Sequence, residues 1–239
     1  MIMAVPVLPS RMLWTLPAFL AVTLAGCGGS TAAPSPEPAR DSAISIKPAE
    51  PPAITDKRPV IAAFGDSLSA GYGLEPGQSY PDDLQRLLDA AGYKYRVVNL
   101  GVSGDTTTDG VERLPALLAA HPAIVILEFG GNDGLRGLPV AAAKANIAQM
   151  IETIRQSGAV ILLAGMTLPR NYGPEYIQSF EKMYSELAQS YKLARIPFLL
   201  EGVGGHADLT QPDGIHPTSA GAQIVAANVL RYLRPLLRK

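Results

Sequence analysis

From residue 60 onward, short apolar runs alternate with segments whose apolar residues recur at helical spacing. An unbroken apolar run such as 60–64 is typical of a strand covered on both faces, and 80–91 is typical of a helix with one buried face. Strands that alternate with helices pair in parallel through right-handed crossovers. The pattern predicts an α/β fold, a three-layer α/β/α sandwich around a mostly five-stranded parallel sheet. The predicted strands are 60–64, 96–100, 123–129, 159–164 and 197–200, and the predicted helices are 80–91, 106–120, 140–156, 175–191 and 219–233.

Polar segments containing glycine follow three of these strands, at 65–67, 101–105 and 130–133. A fourth polar segment, 213–217, precedes the last predicted helix. Because ligand and catalytic sites of parallel sheets form at the carboxyl ends of the strands, we expect these four segments to meet at one edge. Asp66, Asp105 and Asp133 in these segments are interpreted as residues that order their loops.

Ser67 follows the first predicted strand, and Asp213 and His216 share one segment near the end of the chain. A serine hydroxyl attacks a carbonyl only when a neutral imidazole takes its proton, and a carboxylate can fix the tautomer of that imidazole. An isolated Asp-x-x-His is more often a turn with a solvated histidine. Two ligands without companions would make a weak metal site. These residue types alone leave three interpretations open: a catalytic serine with its base, a turn with a solvated histidine, and a weak metal site.

Four segments resemble, in order and spacing, the four sequence blocks of the GDSL (SGNH) hydrolase family. They are 65–73 (GDSLSAGYG), 101–107 (GVSGDTT), 130–133 (GGND) and 213–217 (DGIHP). The resemblance spans almost all of residues 59–239 and is closest to the bacterial multifunctional esterases that include thioesterase I, lysophospholipase and arylesterase. It implies a flavodoxin-like fold and a serine esterase that hydrolyses acyl esters through a covalent acyl-enzyme.

The family resemblance also implies a role for each site residue. Ser67 would be the nucleophile, His216 the general base and Asp213 the residue that orients His216. The oxyanion would be held by the backbone N–H groups of Ser67 and Gly101 and by the side-chain amide of Asn132. Segment 166–173 resembles the substrate wall of the esterase branch, in which we expect Met166, Leu168, Pro169 and Tyr172 to contact substrate.

Two other functions remain compatible with the sequence. A carbohydrate or peptidoglycan O-deacetylase would use the same residues, because relatives of that type keep the same donors. A non-catalytic lipoprotein that binds lipid or glycan in the cleft belongs to a different class, and the complete set of candidate catalytic residues argues against it. Lysophospholipid, thioester and aryl ester substrates all fit the esterase hypothesis.

Composition narrows the partners of the chain. The net charge is -1 and no basic run stands out, so nucleic-acid binding is not expected. The sequence contains 1 Cys, which excludes an internal disulfide and a cysteine-rich metal site. We expect a monomer that needs no cofactor and no metal ion and that acts on a small acyl ester or lysophospholipid.

The segment before the α/β domain has the features of an export signal. Arg11 precedes an apolar stretch too short to span a bilayer as a helix, and small residues end it. Leu-Ala-Gly-Cys at 24–27 resembles a bacterial lipobox, which implies cleavage before Cys27 and lipidation of its sulfur. Gly28, rather than Asp, follows and implies the outer membrane. The predicted organisation is a signal peptide at 1–26, a Pro/Ala/Ser-rich tether at 27–58 and a periplasmic domain at 59–239. An ordinary secretory signal, which would release the domain into the periplasm, remains the alternative.

We predict that Cys27 carries a lipid. Bacteria that express the full chain and receive radioactive palmitate should label it, whereas Cys27→Ser should stay unlabelled because the acceptor thiol is absent. Equal labelling of the two proteins would show that the single cysteine is incidental.

Overall fold

The computed structural model describes residues 56–238. The predicted signal peptide, Cys27 and all but the last three residues of the predicted tether lie outside this range. At the start of the described chain, Arg58 pairs with Asp56 and Asp89, which fastens the entry to the domain.

The centre of the domain is a five-stranded sheet in which all strands run parallel. Its strands are β1 (Val60–Gly65), β2 (Arg96–Gly101), β3 (Pro122–Glu128), β4 (Val160–Ala164) and β5 (Ala194–Ile196). They lie in the order β2-β1-β3-β4-β5. Every residue of β1 is buried, as its unbroken apolar run predicts. This order is the flavodoxin-like arrangement that the sequence predicted.

Helices form the outer layers. They are α1 (Ser67–Ala70), α2 (Tyr80–Ala90), α3 (Thr107–Glu112), α4 (Leu114–Ala119), α5 (Gly131–Leu135), α6 (Val140–Gln156), α7 (Pro174–Tyr191) and α8 (Ser219–Leu233). Helix α2 packs against α8, and α6 packs against α3 and α7. The predicted three-layer α/β/α fold is therefore confirmed.

Two predicted elements differ from the structure. The fifth strand is Ala194–Ile196 rather than 197–200, because Pro197 has no N–H with which to extend the ladder. Leu199 and Leu200 are buried all the same, since Leu199 N–H donates to Gly165 O and turns the chain into the core. The predicted helix 106–120 is interrupted at Arg113, because Pro115 lies in the first turn of a second helix.

Two short helices occupy segments that were expected to be irregular. Ser67 begins α1, and Asn132 lies in α5. Gly130 precedes α5 with φ = 113°, a left-handed conformation that favours glycine. No helix of residues 56–238 is long and apolar enough to cross a membrane.

Buried side chains of the central strand β3 should contribute more to the free energy of unfolding than exposed side chains of β4. Val125 is fully buried, whereas Val160, at the start of β4, is 43% exposed. We predict that Val125→Ala lowers the free energy of unfolding by about 2–3 kcal/mol, because it removes buried methyl groups and leaves a cavity. Val160→Ala carries the same change in strand propensity and should cost well under half as much. Urea denaturation measures both, and equal losses would contradict this account of the core.

Candidate active site

The structure brings Ser67, His216 and Asp213 into one hydrogen-bonded series. Ser67 Oγ lies 2.8 Å from His216 Nε2, and His216 Nδ1 lies 2.7 Å from Asp213 Oδ2. Ser67 is separated from His216 by 149 positions, so the fold alone makes this contact. The series has the order that proton transfer from a serine to an imidazole requires.

The Asp213 carboxylate is held by its own loop. Its Oδ1 accepts hydrogen bonds from the N–H groups of Ile215 at 2.9 Å and His216 at 3.0 Å. Desolvation acts to raise the pKa of Asp213, but the hydrogen bonds from the His216 ring and from these two backbone groups outweigh it and lower the pKa. Asp213 therefore stays ionised beside the imidazole near neutral pH.

Three further contacts fix the loop that carries His216. Thr210 and Pro217 form an isolated antiparallel bridge, and Gln211 N–H donates to His216 O at 2.7 Å. The Tyr72 ring lies over the imidazole, with ring centroids 4.7 Å apart. Thr218 then caps α8 by accepting from Gly221 N–H.

Ser67 lies on a tight turn between β1 and α1. Asp66 Oδ1 accepts from Leu68 N–H at 3.0 Å and caps the helix, as its interpretation as a loop-ordering residue requires. Burial raises the pKa of Asp66 to about 6, although the hydrogen bond from Leu68 N–H opposes the rise. The N–H of Ser67 has no acceptor within residues 56–238 and remains available.

Asn132 also lines the cleft beside Ser67. Its Nδ2 donates to Asp105 O at 2.8 Å and to Asp66 Oδ2 at 3.1 Å. Both amide hydrogens of Asn132 are therefore engaged.

The structure does not bring the Gly101 N–H to the cleft. This group donates to Asn99 Oδ1 at 2.9 Å, and a Cβ at Gly101 would stand 2.2 Å from Ala70 N, so this glycine packs against α1. Gly104 lines the cleft instead, with φ = 90°, and its N–H has no acceptor in the described chain. The structure therefore contradicts the predicted role of the Gly101 N–H, because the Asn99 side chain already accepts from this group.

The other two acidic loop residues order the surrounding turns. Asp105 pairs with Arg113 at 2.5 Å, and Arg113 also donates to Gly65 O at 2.9 Å. Asp133 accepts from Thr107 N–H at 2.8 Å and from its hydroxyl at 2.6 Å. These bonds join the loops after β1, β2 and β3.

Two adjoining cavities open at this edge. The catalytic cleft, of about 190 Å³, is lined by Asp66, Ser67, Leu68, Tyr72, Ser103, Gly104, Gly131, Asn132, Leu135, Met166, Ile215 and His216. The side cavity, of about 440 Å³, is lined by Gly131, Leu135, Met166, Thr167, Leu168, Pro169, Arg170, Phe198, Leu200, Gly204, Gly205, Gly214 and Ile215. The two share Gly131, Leu135, Met166 and Ile215, so they lie side by side.

Three of the four predicted substrate-wall residues line the side cavity. Met166, Leu168 and Pro169 do so, and Met166 also borders the cleft. Tyr172 does not, because its hydroxyl donates to Leu135 O at 2.7 Å and its ring packs against the core. Tyr172 thus contacts the cavity-lining residue Leu135 without lining the cavity itself.

Sequence reasoning missed Glu128 and gave no role to the Tyr72 ring. Glu128 is fully buried at the end of β3, next to the turn that carries Ser67. A carboxylic acid inside the otherwise apolar run 123–129 was the available signal for Glu128. Within residues 56–238, no cluster of three or more His, Cys, Asp or Glu could hold a metal ion.

Comparisons with known proteins identify the family of the chain. Residues 63–224 match the model of the GDSL-like lipase/acylhydrolase family. The chain is 49% identical over 178 residues to esterase TesA of Pseudomonas aeruginosa PAO1, covering 74% of this chain and 89% of that protein. It is 38% identical to thioesterase 1/protease 1/lysophospholipase L1 of Escherichia coli K12, covering 74% and 84%. A crystal structure of TesA superposes with a TM-score of 0.72 at 48% identity, covering 74% of this chain and 99% of that one.

The chain belongs to the GDSL-like lipase/acylhydrolase family. It is a carboxylic ester hydrolase, as its relatives named esterase and thioesterase/lysophospholipase are. The predicted family and enzyme class are confirmed.

Proposed function

We propose that the enzyme hydrolyses acyl esters through a triad of Ser67, His216 and Asp213. The observation that carries this proposal is the unbroken series from Ser67 Oγ through the His216 ring to Asp213 Oδ2. His216 Nε2 takes the hydroxyl proton as Oγ attacks the ester carbonyl, and the Nδ1–H donates to the ionised Asp213. His216 then protonates the leaving alcohol, and an acyl-enzyme remains on Ser67. Water repeats the sequence and releases the acid.

Three donors would hold the negative oxygen of the tetrahedral intermediate. We assign the Ser67 N–H, the Gly104 N–H and the Asn132 amide to this role, with Gly104 replacing the Gly101 of the sequence prediction. The first two have no acceptor among the described residues, and all three groups border the catalytic cleft. Asn132 can release its longer bond, the 3.1 Å one to Asp66, when an oxyanion forms. Such donors stabilise the charge that develops in the transition state.

The side cavity supports acyl chains as the group that is recognised. Its wall is mainly apolar, with Leu135, Met166, Leu168, Phe198 and Ile215 among its residues. A sugar needs closely placed polar partners, whereas a hydrocarbon chain needs apolar surface, so this lining favours an acyl ester over a carbohydrate ester. A lysophospholipid or a medium-chain ester fits this chemistry, and a relative named lysophospholipase L1 agrees with it.

We further propose that the enzyme works in the bacterial cell envelope. The predicted signal segment and the lipidated Cys27 would deliver and anchor it there. Lysophospholipids in the same membrane would then be within its reach.

We predict that Ser67→Ala lowers kcat for p-nitrophenyl acetate by roughly 10⁴-fold or more, because no other group supplies the nucleophile. Ser185→Ala, on α7, is the matched control, since its hydroxyl bonds only Lys182 O and is exposed. A fluorophosphonate probe should label the wild-type enzyme and Ser185→Ala but not Ser67→Ala. Unchanged turnover in Ser67→Ala would refute the triad, and an unlabelled wild-type chain would indicate a binding protein.

We predict that kcat/KM for p-nitrophenyl esters rises with acyl length until the side cavity is filled. Each buried methylene contributes about 0.8 kcal/mol, roughly a fourfold gain per carbon. Pro169→Trp should shorten the preferred acyl chain, because the tryptophan ring would fill part of the side cavity. Turnover of the acetate ester, whose acyl group is short, serves as the internal control. A flat chain-length series in the wild-type enzyme would rule out acyl binding in this cavity.

A further inference from the structure

Glu128 is a buried acid that the proposed chemistry does not use. It is the last residue of β3, the middle strand of the sheet, and is fully buried. Its register partner in β1 is Gly65. A Cβ at Gly65 would stand 2.2 Å from Glu128 Oε2 and 2.5 Å from Ser69 Oγ. The absence of a side chain at Gly65 therefore makes room for the carboxyl group beneath the Ser67 turn.

One oxygen of Glu128 holds the Ser67 turn on both sides. Oε2 accepts from Asp66 N–H at 3.1 Å and from Ser69 Oγ at 2.8 Å. The Ser69 hydroxyl also lies 3.0 Å from Tyr80 OH, which joins α2 to the same network. Residues 66 and 69 flank Ser67, so this carboxyl group restricts the peptide groups around the nucleophile.

The other oxygen of Glu128, Oε1, is buried and forms no hydrogen bond in the described part of the chain. The titratable groups whose charges act on this carboxyl come from three parts of the fold. They are Asp66 after β1, Tyr80 on α2 and Tyr184 on α7.

None of these groups forms an ion pair with Glu128. Arg113, a cation that reaches the neighbouring strand β1 at Gly65 O, pairs with Asp105 and otherwise donates to backbone oxygens. A buried carboxylate without a paired cation is strongly unfavourable, whereas the neutral acid is tolerated. Burial, reinforced by the nearby Asp66 charge, raises the pKa of Glu128 well above its usual range. These surroundings therefore favour the neutral form of Glu128.

We propose that Glu128 is a positioning residue, a neutral acid whose Oε2 fixes the turn at residues 66–69 so that the Ser67 hydroxyl and N–H face the catalytic cleft. It lines neither cavity and touches no reacting atom. This inference rests on the proposed triad, since it assigns Ser67 as the group to be positioned.

Two substitutions at Glu128 distinguish the effect of its hydrogen-bond-accepting oxygen from the effect of its proton. Glu128→Gln keeps the oxygen that accepts from Asp66 and Ser69 and stays uncharged, so kcat should remain within about threefold of the wild-type value. Glu128→Met keeps the volume but removes the acceptor, so kcat should fall roughly 10- to 100-fold with KM little changed, because a small displacement of the nucleophile costs this much. Circular dichroism at the assay temperature checks that both variants are folded.

The pH dependence of thermal unfolding tests the protonation state. Because the folded chain holds the Glu128 proton more tightly than the unfolded chain, raising the pH favours unfolding of the wild-type protein. Glu128→Gln lacks this linkage. The Tm of Glu128→Gln minus the Tm of the wild-type protein should therefore increase as the pH rises from about 5 to about 8. A constant Tm difference would show that the acid is already ionised in the folded protein, and the neutral-acid proposal would be wrong.

Equal loss of kcat in Glu128→Gln and Glu128→Met, or wild-type kcat in Glu128→Met, would overturn the positioning role. If Glu128→Met does not fold, Ser69→Ala removes one of the two Oε2 bonds. It should lower kcat several-fold at constant KM, and wild-type kcat in this variant would equally overturn the role. Ser67→Ala is measured alongside as a control. If Ser67→Ala is inactive while the Glu128 variants keep wild-type kcat, only the positioning role is refuted. If Ser67→Ala is fully active, the triad itself is refuted.

Discussion

Parallel pairing of β1 with both β2 and β3 is the constraint on which the site depends. The register places Gly65 beside Gly101 on one side and beside Glu128 on the other, so the three strands end at the same level. The segments that follow them then meet without long excursions of the chain. Because β1 is buried on both faces along its whole length, a slip of this register would mispack its side chains and displace Ser67. Core stability and catalytic geometry therefore depend on the same ladder of hydrogen bonds.

The two halves of the site are held in different ways. The Ser67 side is fixed from beneath by buried groups, through Asp66, Ser69 and Glu128. The His216 side is a surface loop that is stabilised mainly by its own backbone, with Asp213 accepting two local N–H groups. Donors that are already oriented need no reorganisation when charge develops on the substrate, which is the main advantage of an enzyme site over water. The buried half provides that rigidity, and the exposed half leaves room for substrate and water to reach the imidazole.

The parts of the structure that local patterns encode were predictable from the sequence. The alternating strands and helices follow from periodicity. The meeting of Ser67, Asp213 and His216 was predicted from the resemblance of four sequence blocks to a known family. Features that depend on contacts distant in sequence were not predictable. Which glycine of segment 101–104 presents a free N–H depends on the Asn99 side chain. The apolar run after Pro197 was predicted to be a strand because burial in a turn and burial in a strand leave the same composition.

The chain enters the sheet at the edge opposite to the one at which the cleft opens. The described chain enters β1 at Val60, on the amino edge, whereas the cleft opens at the carboxyl edge beyond Gly65. Six residues of strand separate these edges by roughly 20 Å. An affinity tag, a solid support or a fused domain joined upstream of Asp56 would therefore be attached on the side remote from the nucleophile. Immobilisation through the amino end should leave the mouth of the cleft open to bulky esters presented from solution.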